Sequence, residues 1–249
     1  MKLINTFLIL LFAFSSIASP ADSLKRANEL YAESEFQAAA LLYESIFDQN
    51  YESAALYYNL GNAYYKSGEY TLSILNYERA LLLDPNNESI QFNLQLANQF
   101  VIDNIEPLPT PFFIKWIQNL ANLQSADNWS IFSIVAFLVM LAFALVFLFS
   151  RTLVFKKTGF ILAIIFLILS STSLMLARKQ HQKLIERNHA IIFTPTVTVK
   201  SSPDVGGTDL FVIHEGLKVE IKQQINIWLE IRLEDGNTGW VQQGVLEII

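Results

Sequence analysis

The residue types that do chemistry are present in this chain, but their spacing does not assemble a catalyst. His181, His189 and His214 share no metal-ligand spacing. No Gly-x-Ser-x-Gly elbow, phosphate-binding loop or paired-glycine dinucleotide turn occurs. The absence of cysteine removes thiolate metal sites and cysteine nucleophiles. Carboxylates are plentiful, yet they fall on helical surfaces, where solvation is the default. No enzyme activity, metal or cofactor is expected. What recurs at a fixed spacing is polar and neutral. Asn28 and Asn62 stand 34 residues apart, Tyr31 and Tyr65 follow each of them, and Lys66 adjoins the second set. Their chemistry is hydrogen bonding, and the plainest use of such an asparagine is to cap or bridge helices.

The elements that position these side chains repeat with the same period. Displacing the sequence by 34 residues sets Gly61 on Ala27, Glu69 on Glu35, Tyr77 on Tyr43 and Glu78 on Glu44. A period of this length marks stacked helical hairpins, each unable to bury its apolar face alone. The second copy reads Tyr57-x2-Leu60-Gly61-x2-Tyr64, then Ser73-x3-Tyr77-x2-Ala80 and Pro85. It resembles the tetratricopeptide pattern W-x2-L-G-x2-Y, A-x3-F and a closing Pro. Gly61 and Ser73 are small where two helices approach. Tyr57, Leu60, Tyr64, Tyr77 and Ala80 form packing stripes. Ser67-Gly68 is the turn, and Asp84-Pro85 stops the second helix. Ala27, Leu30, Tyr31, Ala39, Tyr43 and Ile46 make a weaker first copy. Asn93, Leu94 and Ala97 begin a third, so Ser89–Ile102 is predicted as a capping helix. Three repeats are the usual minimum, so the missing packing is expected from the membrane-proximal part or from another chain.

The tetratricopeptide resemblance implies a protein-binding module. It implies that Asn28, Tyr31, Asn62, Tyr65 and Lys66 line a groove for an extended peptide segment. The third helix offers Gln91, Asn93, Gln95 and Asn98 without a cation, which departs from family members that clamp a carboxylate. Thirteen acidic and four basic side chains lie between Asp22 and Glu106. That surface excludes nucleic acid as a partner, since phosphates need a basic face.

The remaining apolar residues are gathered in runs. Lys2, the apolar stretch Leu3–Phe14 and the small residues after it have the order of a secretory signal, predicted over residues 1–21, either cleaved after Ala18 or Ala21 or kept as an uncleaved anchor. Trp129–Ser150 and Thr158–Ala177 contain no charged residue, and each has about the 20 residues a membrane-crossing helix needs. The loop 151–157 carries Arg151, Lys156 and Lys157 and is predicted to be cytoplasmic. Both terminal modules are then extracytoplasmic, although Arg178, Lys179, Lys183 and Arg187 would share that side. Within the linker 103–128, Phe112, Phe113, Trp116, Ile117 and Leu120 recur at helical spacing, as in an amphipathic helix lying at the membrane surface. A juxtamembrane segment, 178–188, follows the second span.

From His189 onward the pattern has period two. Ile191–Val199, Asp209–Ile213, Lys218–Gln223, Trp228–Leu233 and Gly239–Gln242 are predicted strands, and five short strands suggest a small barrel over 189–249. Val197-x-Val199, His214-Glu215-Gly216, Trp228-x-x-Ile231 and Asp235-Gly236-x-x-Gly239-Trp240-Val241 resemble a bacterial SH3-type domain. The resemblance implies one tryptophan of Trp228 and Trp240 in the core and the other in a groove for cell-wall peptides or extended protein segments. The fold class expected is thus a multidomain membrane protein: all-α tetratricopeptide hairpins over 22–102, a transmembrane helical hairpin over 129–150 and 158–177, and a small all-β SH3-like barrel. This order resembles the E-type proteins of Bacteroides aerotolerance operons. That resemblance implies membrane proteins with von Willebrand A-type domains and a MoxR-type ATPase as partners, in an inner-membrane envelope complex tied to stress tolerance. The alternative is a sensor whose barrel binds peptidoglycan peptides.

Overall fold

The computed structural model describes residues 19–47 and 51–249. Residues 1–18 of the expected signal lie outside them. The chain divides into two compact units, residues 1–52 and 53–249. The first holds one helical hairpin, α1 (Pro20–Ala32) and α2 (Phe36–Phe47). Ser19 caps α1 by accepting a hydrogen bond from the Asp22 amide, and Pro20 pre-sets the first helical turn. Ala27, Ala39 and Ala40 are buried where the helices approach, with Tyr43 and Ile46 filling the space beyond them.

The second unit begins with α3 (Ala54–Ser67), α4 (Tyr70–Leu83) and α5 (Glu88–Asn98). Ser53 and Asn87 cap α3 and α5. Gly68, at φ 85°, closes α3 in the left-handed conformation that glycine reaches without strain. The third helix is shorter than predicted, because Gln99 and Phe100 turn out of it. The face that one further repeat would cover is filled from elsewhere. Ile74, Leu75, Tyr77, Ala80, Ile90, Leu94 and Ala97 form one core with Ile191 and Ile249, which come from the C-terminal sheet. Each isoleucine removed from water there stabilises by about 1.5–3 kcal/mol.

Next come α6 (Phe112–Asn122), α7 (Ala126–Phe149) and α8 (Leu153–Glu186). α7 and α8 are long and apolar enough to cross a membrane. They form an antiparallel pair fixed at two places. Near the start of α7, Ser133 Oγ donates to the Ser170 carbonyl and Ser170 Oγ donates to the Ser133 carbonyl, both at 2.9 Å. At the other end, a Cβ on Gly159 would stand 3.0 Å from Phe143 O and Phe147 N, so the bare glycine admits the neighbouring backbone. The predicted loop 151–157 is corrected to a turn over Ser150, Arg151 and Thr152. Helical hydrogen bonding resumes at Leu153, so Lys156 and Lys157 lie within the first two turns of α8. The juxtamembrane segment is likewise helical up to Glu186. The end of α6 is tied to this pair: the Ala121 carbonyl accepts from Trp129 Nε1 at 2.9 Å and from the buried Gln180 Nε2 at 2.8 Å, and Asn122 Oδ1 accepts from Lys183 Nζ at 3.0 Å. A C-terminal helix carbonyl left without a partner is thereby satisfied.

The remainder is a seven-stranded antiparallel sheet in the order β3-β2-β6-β5-β4-β1-β7. Its strands are β1 (His189–Ile192), β2 (Thr196–Lys200), β3 (Asp209–His214), β4 (Lys218–Ile225), β5 (Trp228–Arg232), β6 (Thr238–Gln242) and β7 (Leu246–Ile248). Two strands were not foreseen. The predicted Ile191–Val199 strand breaks into β1 and β2 around Pro195, which has no amide to donate to a ladder. β7 is three residues long behind a 3₁₀ turn, too brief for a period to register. β3 and β7 are the edges, and their ladders do not close on one another, so the predicted barrel is an open sheet in its pairing. Ile192, Val199, Ile213, Val219, Ile231 and Val241 are buried together on one face. Gly239 lies where β6 crosses β2: a Cβ there would run into Val199 Cγ1 and stand 2.9 Å from the Lys200 carbonyl.

The start of the expected linker is part of this packing. Val101 and Ile105 pack on the sheet's core, and the Leu108 amide donates to Glu234 O at 3.0 Å. Asp103 accepts from the His214 amide at 2.6 Å, and its other oxygen lies 2.8 Å from His214 Nδ1.

Candidate functional site

The repeated asparagines are each held by a tyrosine fifteen positions later. In the first unit, Tyr43 Oη donates to Asn28 Oδ1 at 2.6 Å across the α1–α2 hairpin. In the second, Tyr77 Oη donates to Asn62 Oδ1 at 2.7 Å across α3 and α4. Asn93 Nδ2, on α5, adds a bond to the same Asn62 oxygen at 2.8 Å and reaches Tyr58 Oη at 3.1 Å. Asn62 therefore joins three helices through one acceptor.

The contact that permits this is steric. Gly61 lies against the Tyr77 ring, and a Cβ there would come within 2.7 Å of two ring carbons. Without a side chain at 61, the ring lies flat on α3 and its hydroxyl reaches the next residue. Tyr77 is 1% exposed, and Ala80, one turn on, is fully buried. Leu60 is buried as well, Tyr57 packs at the edge of the shared core, Tyr64 is half-buried, and Pro85 follows the end of α4. In the first unit, burial pushes the Tyr43 phenol up to about 12, with Tyr31 adding to the shift. It therefore stays a hydrogen-bond donor across the physiological range.

The other groove candidates are placed as follows. Tyr31 meets Phe36 edge to face at 5.2 Å. Tyr65 meets Tyr70 and Phe100 at 5.6 and 6.1 Å, while Tyr70 and Phe100 stack at 3.7 Å. Lys66 is exposed on the last turn of α3, where a cation suits the helix dipole. Asn28 and Tyr31 belong to one unit and Asn62, Tyr65 and Lys66 to the other. The geometry of both asparagines is that of a helix bridge, the plainer of the two uses read from the sequence. Asn93 belongs to the partial third copy, and no period announces its bond to Asn62, because the partners come from different hairpins.

The two tryptophans are both largely buried: Trp228 is 9% and Trp240 8% exposed. Strand alternation sets both on the face opposite Leu229, Ile231 and Val241, in diagonal positions on β5 and β6. On that face Arg232, Thr238 and Gln242 are exposed beside them.

Contacts between the sheet and the repeat are polar around the shared core. Lys218 Nζ meets Glu78 Oε2 at 2.6 Å. Arg79 reaches Glu247 Oε1 at 3.1 Å and donates to the Ile248 carbonyl at 2.7 Å. Among the described residues, no three His, Asp or Glu side chains gather as a metal site would require.

The tetratricopeptide repeat family matches residues 54–87, which is α3, α4 and the Asp84-Pro85 turn with Asn87. The chain thus carries one tetratricopeptide repeat by this criterion, a type of module that binds proteins. No curated protein matches the chain.

Proposed function

We propose that this protein is a non-enzymatic, membrane-anchored scaffold. Its second hairpin, α3 and α4, packs with α5 and the C-terminal sheet as one body on the extracytoplasmic face of a bacterial inner membrane, where the repeats bind an exported protein. The observation that carries this reading is the core shared by α4, α5, Ile191 and Ile249. α4 and α5 precede the first apolar helix, and the two isoleucines follow the second. Segments packed into one core stand on one side of a bilayer, so the chain between them crosses an even number of times. Arg151, Lys156 and Lys157 at the intervening turn favour a cytoplasmic turn and hence exported ends. The signal-like start agrees in direction. Cleavage after Ala18 keeps the Ser19 cap of α1, whereas cleavage after Ala21 removes it.

In the finer form of this proposal the sheet is an SH3-type domain, supported by the Gly239-Trp240-Val241 run and the close crossing at Gly239. The order of parts supports kinship with the E-type aerotolerance proteins. von Willebrand A-type membrane proteins and a MoxR-type ATPase system are then the partners to look for. Asn28 and Asn62 hold their hairpins in shape, and exposed Lys66 faces the partner. Peptidoglycan sensing needs an open aromatic groove, so the burial of Trp228 and Trp240 favours the scaffold. The test uses an alkaline phosphatase fusion after Ile249 and a photo-crosslinking residue at position 66. An exported, active fusion and a discrete crosslinked protein are expected. A full-length fusion without phosphatase activity, the mark of a cytosolic C-terminus, or a residue 66 that captures nothing in native membranes, would reject the scaffold.

A further inference from the structure

An open cleft of about 350 Å³ lies where α4, the end of α8 and the sheet meet. That is within the range of small-ligand sites, about 300–1,000 Å³. Its charged lining is unbalanced. Lys183, Arg187 and Lys218 face one carboxylate side chain, Glu78. Glu78 is already engaged by Lys218. Lys183 Nζ donates to Asn122 Oδ1 at 3.0 Å, a neutral partner that leaves its charge uncompensated. Among the described residues, neither Lys183 nor Arg187 has a carboxylate within 4.0 Å. Arg187 also ends α8 at φ 36°, a left-handed conformation disfavoured for residues other than glycine. The opposite wall is apolar, made by Leu81, Leu82 and Ile249.

The position of these cations is itself unusual. They follow the second apolar run, on the side that short basic loops ordinarily avoid. Lys183 stands nearly two helical turns beyond Ala177, the last residue of that run. Asn122, across the cleft, ends α6, whose exposed Phe112, Phe113 and Trp116 suit a membrane surface.

We propose that this cleft binds a phosphate ester, with Lys183 and Arg187 holding the phosphate oxygens and, where the ester is a lipid, Leu81, Leu82 and Ile249 contacting its apolar part. The group has two sources, an anionic phospholipid of the adjacent bilayer or a soluble phosphate ester. The lipid source rests on the membrane placement proposed above; the soluble one does not.

The test uses the purified full chain in detergent, with Tm as the readout. It is titrated separately with phosphatidylglycerol, with phosphatidylcholine as the zwitterionic control, and with glycerol 3-phosphate. A ligand that binds the folded state raises Tm saturably. Phosphatidylglycerol acting alone assigns the lipid source, and glycerol 3-phosphate acting as well assigns the soluble one. R187Q is expected to weaken the responding ligand by about tenfold, the loss of one charge-assisted hydrogen bond. K200Q, on β2 away from the cleft, should leave it unchanged. Arg187 is exposed, so R187Q is expected to fold with the parent Tm. The proposal is overturned if neither phosphate source shifts Tm, or if R187Q and K183Q both respond as the parent does. The glycerol 3-phosphate arm needs no bilayer, so its result stands apart from any failure of the membrane reading.

Discussion

A single missing side chain organises the repeat. Gly61 lets the Tyr77 ring lie on α3, and the Tyr77 hydroxyl then bridges to Asn62. G61A is expected to destabilise the second unit by about 1–3 kcal/mol through overpacking, read as a lower denaturant midpoint. Ser73 makes the opposite case. It occupies a position where the family pattern has alanine, and among the described residues its buried Oγ has no hydrogen-bond partner. S73A should raise stability by about 1 kcal/mol in the same measurement, since removing an unsatisfied hydroxyl removes its desolvation cost. If S73A destabilises, the hydroxyl has a partner that this geometry does not account for. These positions were legible in the sequence because the contacts within a hairpin are short-range and recur with the period. Asn28 and Asn62 were legible as a pair for the same reason. The hydrogen bonds they accept from Tyr43 and Tyr77 are not announced by the period.

At the scale of elements, the helices were easier to read than the strands. A helix of α7's length shows its character in an uncharged run, whereas β7 offers three residues and β1 four. The α7–α8 pair rests on the reciprocal Ser133–Ser170 bonds and on the bare Gly159. G159L should push the helices apart, because a leucine there meets backbone that has no rotamer to yield. Paired cysteine crosslinking across α7 and α8 in membranes is expected to fall in G159L. S133A should cost only about 0.6 kcal/mol, in line with hydrogen bonds between membrane helices. Equal crosslinking in G159L and the parent would show that the approach at Gly159 is not needed to hold the pair.

At the scale of the molecule, the docking of the sheet on the repeat is what the sequence concealed. Its contacts join residues far apart in the chain, and no local period announces them. Replacing Arg79 and Glu247 with cysteines, in a protein that has none, permits a short bismaleimide bridge between them. An intramolecular bridge is expected in the intact membrane, and only intermolecular products would refute the docking. The same contact should respond to acid. His189 is held below its ordinary value of 6.5, first by removal from water in the cleft and then by Lys218, with Lys183 adding and Glu220 and Glu78 opposing. The unfolded imidazole is protonated before the folded one, so stability falls as pH drops below 6.5 and is unaffected above it. The slope is shallow, because His189 keeps solvent contact, and H189Q should flatten it in a series of Tm measurements against pH. Glu220 loses stability at lower pH. Its carboxyl is raised by burial but brought below 4.5 overall by hydrogen bonds from Lys222 and Arg232.

The shared core also sets a schedule for biosynthesis. Glu78 and Lys218 are 140 residues apart, and Ile191 and Ile249 emerge only after both apolar helices have been made. Until then α4 and α5 wait with an uncovered greasy flank, a state prone to aggregation. A ribosome stalled before residue 189 would therefore leave an adhesive nascent chain, and a holding chaperone at the point of emergence has a defined surface to protect.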